Sequence, residues 1–161
     1  MDWKALFGNR IFKILFAGVV TAGTFAAQPY RPVVVVGNSM QPTYHDHEFT
    51  IASTALGALR RGDVVVVQGP QGPMVKRIAY LPGDSITYLY FGREWMLASD
   101  GGFRKLKDPD KFPKKTVVVP EGYVFVLGDN PDVSIDSRQL GVLPISQITA
   151  KIPNPRPQSS A

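Results

Sequence analysis

The chain divides at about residue 30 into two patterns of apolar and polar positions. Residues 14–27 read ILFAGVVTAGTFAA, without a charge. Beyond residue 30 the apolar positions gather in short runs rich in valine, isoleucine and aromatic residues, each bounded by glycine, proline or aspartate. Runs of that kind predict β-strands. The pattern places them at 33–36, 64–67, 74–80, 86–91, 94–98, 116–119, 123–127 and 148–152. No stretch beyond residue 30 has the 3.6-residue period of an amphipathic helix, and residues 53–60 allow one helical turn at most. The expectation is an all-β domain, a barrel or a sandwich, preceded by one amino-terminal helix.

That helix decides the organisation of the chain. A bilayer span needs about 20 apolar residues, with about 17 as a lower limit. The run from Ile11 to Ala27 contains Lys13, whose ammonium can snorkel to the interface. Lys4, Arg10 and Lys13 outweigh Asp2 ahead of the run and predict a cytoplasmic amino terminus. A cleaved secretory leader and a buried helix of a soluble protein are the competing readings. On the anchor reading, residues 1–10 are cytoplasmic, 11–28 span the membrane and 29–152 form an extracytoplasmic domain. Residues 153–161, spaced by prolines, are expected to be a disordered tail.

Composition then narrows the chemistry. The 161 residues include 15 glycines and 14 prolines, in keeping with many turns between short strands. Hydrophobic residues at 44% and charged residues at 19% exclude an intrinsically disordered chain. There is no cysteine, which removes disulfides, thiol nucleophiles and thiolate-bound metals. The net charge of +5 permits contact with nucleic acid or anionic lipid. Six of the basic residues fall in 103–115, which reads as an inserted, solvated loop. Aromatic residues are too sparsely interleaved there for a nucleic-acid surface, so no nucleic-acid partner is expected. No metal site and no cofactor are called for.

Three strand ends carry polar clusters. Ser39 follows a valine run through Gly37, an arrangement that presents a hydroxyl beside free backbone N–H groups. A serine nucleophile needs a base. His45 and His47 stand in a polar loop, His45-Asp46-His47-Glu48, and a triad or metal site there is conceivable, although a plain exposed turn is the simpler reading. Lys76 offers a different base. On a strand it shares a face with Met74 and Ile78, while Arg77 points to the opposite face and is expected to remain solvated. A lysine on an apolar face loses hydration and its pKa falls, although an edge-strand or surface charge is the simpler reading of Lys76 taken alone. The third cluster is Gly128-Asp129-Asn130-Pro131-Asp132-Val133-Ser134-Ile135-Asp136-Ser137-Arg138.

Taken together, these segments resemble the boxes of the type I signal peptidases, membrane-bound Ser/Lys proteases that remove signal peptides. Gly37-Asn38-Ser39-Met40-Gln41-Pro42-Thr43 is similar to the nucleophile box, Arg61-Gly62-Asp63-Val64-Val65-Val66 to the second, Val75-Lys76-Arg77-Ile78 with Leu81-Pro82-Gly83-Asp84 to the base box, and Gly128-Asp129-Asn130 with Ser134-Ile135-Asp136-Ser137-Arg138 to the last. All four occur in order between about residues 11 and 152. The resemblance implies a signal-peptidase-like β domain in which Ser39 attacks the scissile carbonyl and Lys76 is the base. It also implies that Ser134 hydrogen-bonds the lysine nitrogen, that Asp136 and Arg138 form a supporting ion pair, and that Asp129 belongs to the same polar shell. Gly37, Asn38 and Met40 would border the substrate and the oxyanion, to which the Ser39 N–H donates.

The sequence departs from the family where some members place a serine hydroxyl at the position of Gly37, and Pro131 and Val133 replace polar residues. The resemblance further implies an extended substrate with small side chains, preproteins as partners, and a place in the cytoplasmic membrane of a cell or the inner membrane of an organelle. Two other readings stay open. One is a self-cleaving repressor domain with the same Ser/Lys pair. The other is a catalytically silent membrane-anchored β-domain that serves as a binding or adaptor subunit.

Overall fold

The computed structural model describes residues 28–99, 108, 111–153, 155 and 156. The expected cytoplasmic segment 1–10 and, save for Gln28, the expected anchor 11–28 lie outside the described residues, as do 103–107 of the basic loop. Among the described residues no helix is long and apolar enough to cross a membrane.

Ten strands follow one another among the described residues. They are β1 (Tyr30–Val35), β2 (Glu48–Ser53), β3 (Val64–Gly69), β4 (Gly72–Tyr80), β5 (Ser85–Phe91), β6 (Glu94–Leu97), β7 (Lys114–Val118), β8 (Tyr123–Leu127), β9 (Leu143–Pro144) and β10 (Ile148–Ile152). Seven of them form one sheet in the order β1-β2-β10-β3-β4-β8-β9, and β6-β5-β7 form a second. One short helix, α1 (Ser137–Leu140), follows β8. Strand β2 is absent from the runs expected from the sequence, whereas residues 53–60 stay within the expected limit of one helical turn and form none, and α1 is too short to show an amphipathic period.

The valine quartet of β3 shows how the large sheet is built. Val64 and Val66 enter one core cluster with Val35, Met40, Tyr44, Ala52, Ala150 and Ile152. Val65 and Val67 enter a second with Ile78, Val124, Val126, Leu143 and Ile148. A strand covered on both faces needs no polar alternation, which is why four valines stand in a row. A third cluster, Ile86, Leu97, Val119 and Phe125, joins residues of β5, β6 and β8.

Register brings the chemistry-bearing segments together. In the β3–β4 pair Val65 lies opposite Lys76 and Val64 opposite Arg77. In the β4–β8 pair Arg77 lies opposite Leu127, so β8 delivers Gly128 and Asp129 next to the base strand. Strand β8 pairs with β4 only at Arg77, Ile78 and Tyr80. The first half of β4 therefore has an edge that β8 does not cover. Strand β1 is the opposite end of the sheet order, yet Val34–Val36 and residues 73–76 line one cleft of about 260 Å³ that ends at Ser39 and Lys76.

Candidate active site

Ser39 is carried by the turn that follows β1. Gly37 has φ +86°, a conformation that a side chain would strain. Its N–H donates to Asp46 Oδ1 at 2.7 Å. That bond, through an acid placed in the polar loop and not in any box, fixes the approach to Ser39. It also takes the Gly37 N–H out of the set of donors open to a substrate. Asn38 closes the same turn, its carbonyl accepting from the Gln41 N–H at 3.2 Å and its Oδ1 from Gln41 Nε2 at 3.0 Å. The Ser39 carbonyl accepts from the Asn130 N–H at 3.0 Å. Met40 corrects the expectation of a substrate contact. Its side chain is wholly buried in the first core cluster and anchors the turn from beneath.

Lys76 Nζ lies 2.8 Å from Ser39 Oγ. The same nitrogen donates to the Val75 carbonyl at 3.1 Å. The residue is 4% exposed. Burial pushes its pKa below the ordinary lysine value, while Asp136 and Asp129 pull it back upward and Arg138 adds to the fall. No carboxylate forms an ion pair with Lys76 among the described residues.

Arg77 departs from the expectation of a solvated side chain, being 8% exposed. Alternation does send it to the other face, but that face is covered by the first core cluster. A buried guanidinium must be paired. Its Nε and Nη2 bind the two oxygens of Asp129 at 2.9 and 2.7 Å, and Nη1 donates to the Gly62 carbonyl at 2.8 Å. Gly62 belongs to the second sequence box, so one role of that box is to satisfy Arg77.

Asp136 is fully buried at the N-cap of α1, where it makes a capping box with Gln139. Its carboxylate accepts from Arg138 Nε and Nη2 at 2.9 and 2.7 Å and from the Gly128 N–H at 2.9 Å. Burial pushes the Asp136 carboxyl upward, but these donors outweigh it and hold the group below the usual carboxylate range. Ser134 is buried beside this carboxylate, and its hydroxyl has no partner in hydrogen-bond geometry. The expected bond from Ser134 to Lys76 is therefore not made. The amine is satisfied by Ser39 and Val75, and Ser134 Oγ is crowded against Gly128, where an added Cβ would run into it and lie 2.5 Å from the Ser39 carbonyl.

The histidine alternatives find no support in this geometry. His47 Nδ1 lies 3.0 Å from Asp46 on the surface. Among the described residues no group of His, Asp and Glu could hold a metal ion.

With this geometry in view, comparison with known proteins is decisive. The family described as "Signal peptidase, peptidase S26" matches residues 8–155. The chain belongs to that family. It is 35% identical over 154 residues to signal peptidase I S of Bacillus subtilis strain 168, covering 84% of this chain and 82% of that protein. It is 32% identical over 160 residues to signal peptidase IB of Staphylococcus aureus strain COL, covering 86% and 82%. A crystal structure of a signal peptidase I from Enterococcus faecalis is 25% identical, with a TM-score of 0.38, covering 59% of this chain and 97% of that one. The self-cleaving repressor reading is set aside by the family match and the two relatives from Bacillus and Staphylococcus.

Proposed function

We propose that the chain removes signal peptides from exported preproteins, with Ser39 as nucleophile and Lys76 as general base. The observation that carries the reading is the 2.8 Å approach of Lys76 Nζ to Ser39 Oγ inside a dry site. A neutral amine accepts the serine proton as Oγ attacks the scissile carbonyl carbon. The tetrahedral intermediate collapses, the C–N bond breaks, and the ammonium of Lys76 returns the proton to the departing amine of the mature protein. Lys76 then deprotonates a water that attacks the acyl-Ser39 ester and releases the signal peptide as a carboxylic acid.

The oxyanion would be met by the Ser39 N–H, since the Gly37 N–H is spent on Asp46, the Gln41 N–H on Asn38 and the Asn130 N–H on the Ser39 carbonyl. The two buried ion pairs leave the site polar but hold their charges on partners other than the amine. Substrate would bind extended between β1 and the free edge of β4, pairing as an added strand. Val34–Val36, Pro73, Met74 and Val75 line that cleft and suit small apolar side chains. The apolar run 11–28 would anchor the enzyme in the cytoplasmic membrane, with residues 1–10 inside and the catalytic domain outside.

The test is incubation of the chain with a signal-peptide-bearing precursor and mass measurement of both products. A single cut after the signal peptide, lost in Ser39→Ala and in Lys76→Ala while both variants keep the parent's circular dichroism, supports the reading. Unchanged cutting in either variant contradicts it.

A further inference from the structure

Within the expected tail, Pro153, Pro155 and Arg156 are described, and Arg156 touches the turn after Ser39, the start of β2 and the strand of Lys76. Its backbone N–H donates to Tyr44 Oη at 3.3 Å. Its guanidinium lies 5.2 Å over the Tyr44 ring and donates through Nη1 to the Thr43 carbonyl at 3.0 Å and through Nη2 to Glu48. Its carbonyl accepts from Arg77 Nη2 at 3.1 Å, and that nitrogen also binds Asp129. One residue thus joins the turn after Ser39 to the strand of Lys76, at the arginine that also binds Asp129.

We propose that Arg156 is a positioning residue, a strap that holds the Ser39 turn against the base strand. The inference rests on Ser39 and Lys76 being the reactive pair. Met40 and Tyr44 tie the turn to the core from below. Above, the turn runs into the polar segment 45–48, whose internal bonds are local: His45 N–H to Glu48 Oε2 at 2.9 Å, and Glu48 N–H to the His45 carbonyl at 3.1 Å. Arg156 closes that outer side. The guanidinium is more than half exposed, so its ion pair with Glu48 adds little to folding. Its effect falls on geometry, and a displacement of about 1 Å in a reacting pair costs up to about a hundredfold in rate. The planar fork presents separate nitrogens to the Thr43 carbonyl and the Glu48 carboxylate in a fixed geometry, which the single nitrogen of an ammonium does not offer.

The experiment compares the full chain with Arg156→Ala and Arg156→Lys on one precursor, recording kcat, KM and the thermal midpoint. The expected result for Arg156→Ala is a kcat lower by about tenfold, KM within about twofold and a midpoint within about 2 °C of the parent, with Arg156→Lys in between. A kcat within about twofold of the parent in Arg156→Ala overturns the strap, as does a loss that vanishes at a temperature where the variant is fully folded. If Arg156→Ala does not fold, Arg156→Lys decides: reduced kcat at an unchanged midpoint supports the strap, and full kcat overturns it. A parent chain that cleaves no precursor contradicts the peptidase reading itself, an outcome distinct from failure of the strap.

Discussion

Strands β4 and β7 both carry lysines, and their surroundings make those lysines chemically different. Lys76 lies in the seven-stranded sheet between two core clusters, opposite Val65 and in line with Met74 and Ile78. Lys114 and Lys115 lie in the three-stranded sheet on a strand exposed along its whole length, opposite Leu89 and Tyr88. Residue type and strand geometry are the same. Cover is what differs. Two packed faces strip water from the amine at position 76 and disfavour its charge, whereas a one-sided sheet leaves its lysines in solvent. The contrast extends to Arg77, which cannot shed its charge and so binds Asp129 in a fork. Adjacent cations in one dry place thus have opposite solutions: one is driven toward neutrality, the other is paired.

The sharpest way to break this comparison is to exchange the lysines. Lys76→Met should lower precursor cleavage by at least about a thousandfold with no loss of thermal stability, because a buried amine is replaced by an apolar chain of similar length. Lys115→Met should leave cleavage within about twofold. Next in size is the arginine pair. Arg77→Met leaves Asp129 buried without its partner, and chemical denaturation should show a loss of about 3–5 kcal/mol, partly restored by adding Asp129→Leu. Gly128→Ala probes the crowding between Ser134 and the Ser39 carbonyl. It should cut kcat by about a hundredfold by moving Ser39, with a smaller change in KM.

The smallest effect is on stability against pH. The lowered Lys76 pKa means that the folded state gives up this proton more readily than the unfolded chain. The cost of holding the ammonium in a dry site is present in full below the lowered pKa. It is relieved as pH rises and is gone above the ordinary lysine value. Unfolding free energy should therefore climb with pH across that window in the parent and climb less in Lys76→Met.

Much of this was legible in the sequence. Runs such as 64–67 and 123–127 announce themselves by β-branched residues between turn formers, and the order of the polar clusters marks Ser39 and Lys76. What was not legible depends on pairing across the chain. Residues 48–53 follow a polar loop and alternate only from Glu48 to Ile51, a run too short for β2 to stand out. The capping box at Asp136 opens a helix of only four residues, too short for a period to show. Arg77 was misplaced because two-residue alternation assumes one wet face, and here both faces are covered. Asp46 lies outside every box, and its bond to Gly37 needs the fold of the turn to be seen. Arg156 sits among prolines, where local signals point to an unstructured tail, and only its four hydrogen bonds and its place over the Tyr44 ring reveal a role.

The claim on which the rest depends is that the amine of Lys76 is neutral at working pH. Lysine side chains carrying a ¹³C label at Cε report it directly in an NMR titration of the folded chain. The account predicts one resonance, absent from Lys76→Met, that titrates clearly below the ordinary value of about 10.4 and in step with the rise of acylation rate with pH. A Lys76 resonance that titrates together with those of the exposed lysines would contradict it.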